Sequence, residues 1–314
     1  MRIADFSKLR FLVCFGLVGL SLLAFACSTS NPPLEPKADY RTVVDDLGRS
    51  VSVPVKIERA VSLAPSLTEM IFAAGAGDRL VGVTTYCNYP EEAKAIQKVG
   101  DTMTPNIESI IALKPQVVFV STASQLEAFM ATLAQQNIVV FVSDAKDLEG
   151  VYRNVEQLGD FFETKSRTAE VVENLKRRAD FVRHGVGYSA RAGNPTRVFV
   201  QISTDPLFTI GKESFLTTIV RYAGGDSVTK EVPTAYPKLS KETALALAPE
   251  VIILSDSDDN KEPNAVFKNS PAVKNGRVYK INADIISRPG PRLVDAIEQI
   301  SEKLNASSKK ESSE

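Results

Sequence analysis

Hydrophobic and polar positions divide the chain into three regimes. Residues 11–26 (FLVCFGLVGLSLLAFA) are almost unbroken apolar, and 28–37 (STSNPPLEPK) are polar and proline-rich. From residue 59 onward, short apolar runs alternate with longer mixed segments. The runs at 59–63, 80–83, 117–121 and 138–142 predict buried strands. The segments at 66–74, 106–113 and 125–136 between them predict helices. Ser66 with Glu69 three residues later has capping-box spacing, and Gly75 and Gly77 end that helix. Pro115 stops the helix at 106–113. A further helix is expected at 148–162, then one long helix at 166–186, rich in Lys, Arg and Glu, with apolar Val171, Leu175, Ala179 and Val182. Gly185 and Gly187 mark its end. After a break at 189–195 the alternation restarts, with strands at 197–202, 251–254 and 278–281 and helices at 214–222, 241–247 and 292–304. Such alternation predicts an α/β fold of mostly parallel sheets flanked by helices.

An internal repeat predicts that the chain folds as two lobes. Glu108-Ser-Ile-Ile-Ala-Leu-Lys-Pro115-Gln-Val117-Val matches Glu242-Thr-Ala-Leu-Ala-Leu-Ala-Pro249-Glu-Val251-Ile at identical spacings. Ala74-Gly75 and Ala223-Gly224 form a second, weaker pair in the same order. The expected organisation is a signal peptide at 1–26, an attachment cysteine and tether at 27–56, and an N-terminal α/β lobe at 57–147. The last helix of that lobe and the connecting helix follow at 148–188, and the C-terminal lobe and tail at 189–314. The long charged helix, rising 1.5 Å per residue, would be the single stiff link.

The apolar N-terminal run has Arg2, Lys8 and Arg10 before it and Ala26-Cys27 at its end. It suits a signal h-region and is short for a membrane span. Small residues before a cysteine resemble the lipobox of bacterial lipoproteins, with Cys27 as the acylated mature N-terminus, although Ala24 stands where leucine is usual. The other reading is ordinary signal cleavage, with Cys27 incidental. The expected location is the periplasmic or extracellular face of a membrane, held by lipid. Cys14 leaves with the signal, so Cys87 alone remains and no intramolecular disulfide is expected. A net charge of −1 lacks the basic field of a nucleic-acid binder. No G-x-S-x-G, P-loop or metal triad occurs, so no enzyme is expected. Gly185-Val-Gly187-Tyr-Ser-Ala190 imitates a dinucleotide fingerprint but follows a helix rather than a strand.

Val61-Ser-Leu-Ala-Pro65-Ser66-Leu-Thr-Glu69, Val81-Gly-Val-Thr-Thr-Tyr86-Cys-Asn-Tyr89-Pro90, Asn106-Ile-Glu108 and Ala112-Leu113-Lys-Pro115 resemble the N-lobe of helical-backbone (class III) substrate-binding proteins. These serve ABC importers for cobalamin, iron–siderophore complexes and haem. Gly211-Lys-Glu-Ser214, Ala223-Gly-Gly225 and Ser287-Arg288-Pro-Gly-Pro291-Arg292 extend the resemblance through the C-lobe, and the Tyr86 and Arg288 segments look most like the cobalamin branch. The resemblance implies a monomeric receptor with no cofactor of its own, a corrinoid ligand in the cleft between lobes, and delivery to a permease dimer; siderophore or haem is the alternative. Tyr86, directly after a strand, would pack on the ligand, or else be a core tyrosine. Tyr236 matches the opposing aromatic, or else is a surface loop residue. Phe208, Arg288 and Asp284 are lesser candidates, and Arg288 could equally pair with Asp284. Cys87 adjoins Tyr86 and is either a metal-facing thiolate or a small buried hydrophobe. Thr102 and Ser121 occupy positions where the family carries large aromatics, and the chain has no tryptophan. Glu108 and Glu242 match positions that meet permease arginines, one per lobe; helix N-terminal charge is the other reading. His184, the sole histidine, is expected on the surface of the connecting helix. A single histidine argues against the zinc and manganese receptors of related architecture, which cluster histidines.

Overall fold

The computed structural model describes residues 39–122, 126–185 and 193–306. The export segment, Cys27 and the polar stretch after it lie outside the described residues.

The region expected as tether, 27–56, contains structure. β1 (Tyr40–Val44) and β2 (Ser50–Pro54) form an antiparallel hairpin. Its five-residue turn is held by Asp45, whose carboxylate accepts from the Leu47 and Arg49 backbone N–H groups (3.1 and 2.9 Å) and from the Arg49 guanidinium (2.8 and 2.5 Å). Gly48 supplies the left-handed residue, at φ +74°. The Asp46 backbone N–H donates to the Val142 carbonyl at 3.0 Å, and the Asp46 carboxylate accepts from the Asn154 side chain at 3.0 Å. Val53 is fully buried. The hairpin is therefore part of the first lobe.

That lobe is built on β3 (Ala60–Ser62), β4 (Leu80–Val83), β5 (Val117–Val120) and β6 (Val139–Val142), in the order β4-β3-β5-β6 with every pair parallel. Helices α1 (Pro65–Ala73), α2 (Ile107–Ala112), α3 (Leu126–Gln135) and α4 (Leu148–Phe161) cover it. Both faces are buried, so β5 is apolar throughout. Val117 and Phe119 pack with α1 and α4, while Val118 and Val120 face the side that carries Ile110 of α2.

The second lobe repeats the plan. β7 (Thr196–Ser203), β8 (Phe208–Thr209), β9 (Gly225–Ser227), β10 (Val251–Asp256) and β11 (Val278–Asn282) run in the order β11-β10-β7-β8, with β9 also pairing β7. Only β8 is antiparallel. Helices α6 (Phe215–Tyr222), α7 (Lys241–Leu247), α8 (Pro271–Lys274), α9 (Ala283–Ile286) and α10 (Leu293–Ala306) flank it. The connecting helix α5 (Lys165–His184) buries Thr168, Val172, Leu175 and Ala179. Val172, Leu175 and Ala179 join one apolar cluster that runs from Phe119 in the first lobe to Val198 and Ile297 in the second.

The repeat extends into backbone detail. Lys114 (φ +48°) and Ala248 (φ +40°) are both left-handed and both precede the matched prolines, where a right-handed helical residue is disfavoured. Arg59 donates to the Leu113 carbonyl and Arg197 to the Leu247 carbonyl, each at 2.5 Å, capping the two matched helices. Gly75 (φ +80°) and Gly224 (φ +86°) close the other pair of helices.

Candidate functional site

Parallel strands leave their carboxyl ends on one edge, where open α/β sheets bind ligands. In the first lobe that edge continues from β4 as Thr84-Thr85-Tyr86-Cys87-Asn88-Tyr89. In the second it continues from β11 through α9 to Ser287–Arg292. These two segments meet. Arg288 donates to the Glu69 carboxylate (3.1 Å), the Asn88 side-chain oxygen (2.8 Å) and the Tyr86 carbonyl (3.2 Å), and pairs with Asp284 at 2.5 Å. Arg292 makes a two-pronged contact with Glu69 at 2.9 and 2.6 Å and stacks 4.2 Å from the Tyr89 ring centroid. The Asn88 amide donates to Asp284 at 2.7 Å. Burial alone would lower the Arg292 pKa, but the hydrogen bonds and charge of Glu69 outweigh it and keep the guanidinium firmly protonated.

Glu69 therefore departs from its expected role. α1 starts at Pro65, with Ala64 at the N-cap and no side-chain cap. Proline is pre-organised for the first helical position, so the helix begins one residue before Ser66 and the capping-box register is lost. Glu69 is 3% exposed and reaches the other lobe instead.

Tyr86 is 59% exposed at the end of β4, which rules out the core reading. Tyr236 is 43% exposed. Protein crowding its phenol raises the pKa, and a hydrogen bond with Ser214 opposes this. Its loop is pinned by backbone: Thr209, Gly211 and Lys212 N–H groups donate to the Pro237, Ala235 and Val232 carbonyls at 3.1, 2.9 and 2.8 Å. A Cβ on Gly211 would lie 2.3 Å from the Thr234 carbonyl oxygen, so glycine is required for this approach. Phe208, in β8, is half-buried beside the same loop, through its bridge to Lys238. Cys87 is a small buried residue rather than a metal-facing thiolate: it is 1% exposed, and its sulfur lies 3.1 Å from the hydroxyls of both Thr68 and Thr84. It anchors the Tyr86 segment from below and does not face a cleft. Thr102 is half-buried on a loop shaped by Gly100 (φ +96°), and Ser121 is buried at the end of β5.

The family model described as periplasmic binding protein matches residues 61–285. The chain belongs to the periplasmic binding protein family. It is 32% identical over 257 residues to the vitamin B12-binding protein of Vibrio vulnificus, covering 78% of this chain and 89% of the relative. The crystal structure of the periplasmic vitamin B12-binding protein BtuF of Vibrio cholerae superposes with a TM-score of 0.68 at 30% identity, covering 82% of this chain and all of that one. A periplasmic heme-binding protein from Pseudomonas aeruginosa has the same fold, with a TM-score of 0.68 at 24% identity, over 79% and 92% of the two chains.

Proteins of this family bind small-molecule ligands and deliver them to ABC permeases. Here the matched glutamates occupy equivalent places. Glu108 follows the N-cap Asn106 of α2 by two residues, and Glu242 follows the N-cap Ser240 of α7 by two. Both are exposed. The Glu242 backbone N–H and the Ser240 hydroxyl hold the Glu242 carboxyl below the usual glutamate range. His184 ends α5, exposed, with its ring Nδ1 3.0 Å from the Asp180 carbonyl oxygen. No helix among the described residues is long and apolar enough to cross a membrane.

The sequence reading missed Glu69, Asn88 and Arg292. The two arginines in Arg288-Pro-Gly-Pro-Arg292 hint at an acidic partner, but that partner stands 219 positions upstream of Arg288, beyond any local pattern.

Proposed function

We propose that this periplasmic binding protein captures a corrinoid between its lobes and delivers it to the permease dimer of an ABC importer, held to its membrane by lipid on Cys27. The similarity to vitamin B12-binding relatives across most of the chain carries this reading. Tyr86 and Tyr236 support it: each offers an aromatic face to solvent and a phenol able to hydrogen-bond a peripheral amide. Anionic siderophores call for free cleft arginines, whereas Arg288 and Arg292 are bonded to Glu69. Small Thr102 and Ser121, in a chain with no tryptophan, leave less apolar contact than a tryptophan-lined cleft.

The test is calorimetric titration of the soluble chain, with Cys27 removed, against cyanocobalamin and cobinamide. Saturable one-to-one binding of cyanocobalamin is expected, and comparison with cobinamide shows whether the lower nucleotide is read. Tyr86→Ala and Tyr236→Ala should each weaken binding about tenfold, or ~1.4 kcal/mol. No heat with either corrinoid from a folded protein, together with saturation by haemin or a ferric siderophore, would overturn the reading.

A further inference from the structure

The cluster around Glu69 joins three elements that are remote in sequence: α1 of the first lobe, the Tyr86–Tyr89 segment after β4, and the α9–α10 region of the second lobe. Two carboxylates, Glu69 and Asp284, meet two guanidiniums, Arg288 and Arg292, so the formal charges cancel. The side chains of Glu69, Arg288 and Arg292 are 2%, 10% and 14% exposed. A buried ion group of this kind holds its geometry closely, because moving one member strands a charge in a poorly solvated place. The guanidinium fork also fixes angle as well as distance.

Beside the cluster the packing between α1 and the second lobe is interrupted. A cavity of about 420 Å³ lies directly behind the cluster, lined by Glu69, Phe72, Tyr89, Arg167, Arg178 and Arg292. Where side chains interdigitate, close packing resists rotation of one element on another. Around this cavity, polar ties add to what packing remains. Arg167 of α5 donates to the Ala73 carbonyl at the end of α1 (3.1 Å), and Arg178 of α5 bonds Asp295 and Glu298 of α10 (2.6 and 2.5 Å). The connecting helix is thus tied to both lobes, and Glu69 is the one carboxylate that ties α1 directly to the second lobe.

We propose that Glu69 is a positioning residue for ligand capture: through Arg288 and Arg292 it sets the separation of the two ligand-facing edges in the empty protein. Arg288 in this assignment is a strut rather than a ligand contact. Its fork holds the Tyr86 carbonyl and Asn88 on one lobe and Asp284 on the other, so the strut also fixes where the Tyr86 ring emerges. The inference rests on capture between lobes but not on the chemical identity of the ligand.

The experiment measures lobe separation without ligand. Nitroxide labels are placed on Gln135→Cys and Lys268→Cys, exposed positions on opposite lobes, in the full chain carrying Cys14→Ser and Cys27→Ser; buried Cys87 stays. Pulsed electron-electron spin resonance of the parent should give one narrow distance distribution. Glu69→Gln keeps the shape but loses the charge, and should broaden the distribution and shift its mean. Arg288→Lys keeps the charge but loses the fork. It should broaden the distribution less, and it serves as the test should Glu69→Gln fail to fold. Circular dichroism well below the melting temperature establishes that each variant is folded. A folded Glu69→Gln or Arg288→Lys protein with the parental distribution would overturn the proposal. Because no ligand is present, that failure is distinct from a failure to bind corrinoid.

Discussion

At the residue scale, several positions do work that their chemistry predicts once their neighbours are known. Asp45 closes the hairpin turn. Burial alone would raise its pKa, but hydrogen bonds and charge from Arg49, aided by the Leu47 N–H, outweigh this and hold the carboxyl below its ordinary 3.8. A folded-state pKa below the unfolded one contributes stability that is present above the unfolded value and lost as pH falls through the folded value. Asp45→Asn should therefore cost about 1–2 kcal/mol at neutral pH, with the difference from the parent shrinking as pH falls below the ordinary 3.8; urea melts across that range check this. Gly211 is a second case. Gly211→Ala drives a methyl group onto the Thr234 carbonyl oxygen, so the loop carrying Tyr236 must shift. Ligand affinity should fall at least as far as in Tyr236→Ala, with a stability loss of about 1–3 kcal/mol, read by titration and thermal melting. Cys87 shows the limit of reading a residue by its neighbours in sequence. It adjoins an exposed tyrosine, yet the chain turns between them and the sulfur points inward, to Thr68 and Thr84.

At the element scale, the helix–proline–strand unit was legible because its spacing is local. Cap, helix, left-handed residue and proline span fewer than a dozen positions, and each imposes its own backbone geometry. The two copies place Glu108 and Glu242 at the same step beyond their caps. Charges so placed steer docking more than they supply affinity. Replacing both by Ala should abolish ligand uptake in a transport assay while corrinoid binding by the isolated protein stays within a factor of about two; loss of binding would assign them a structural role. The hairpin at 40–54 was not legible. Its residues, YRTVVDDLGRSVSVP, alternate weakly and mix Tyr40 and Val44 with Thr42, Ser50 and Ser52 on the outward face, so in isolation they read as tether. What orders them is the docking of Asp46 on the Val142 carbonyl and the Asn154 side chain, contacts made about a hundred residues away. The same holds for α1. Its existence was plain from pattern, but whether Ser66 or Pro65 opened it decided whether Glu69 capped a helix or crossed to the other lobe.

At the scale of the whole molecule, one face of each sheet packs into a shared apolar cluster, while the other face of each has a cluster of its own. The buried face of α5 carries Val172, Leu175 and Ala179 into an apolar cluster with members from both lobes. Removing either lobe would expose that face to water, at about 25 cal/mol for each Å² of apolar surface. Calorimetry of the ligand-free protein should therefore give one cooperative unfolding endotherm. Two resolved transitions would mean that the separate clusters of the two lobes dominate and that the shared cluster contributes little. The ion group at Glu69 works in the same direction but on a different property. The cluster along α5 couples the stability of the lobes, and the ion group sets how far apart their edges stand.

The sequence by itself determined the α/β class, the two-fold internal repeat, the long connecting helix and the aromatic candidates Tyr86 and Tyr236. All of these follow from short-range periodicity, caps and prolines, which act within a few residues and so remain visible in one dimension. Tertiary structure alone decided that Glu69, Asn88, Asp284, Arg288 and Arg292 form one cluster, that Cys87 faces inward, and that the hairpin at 40–54 belongs to the first lobe. Each of those outcomes depends on which distant segments are brought together. Burial of a charge becomes favourable only where opposite charges converge, and that convergence is a property of the folded chain.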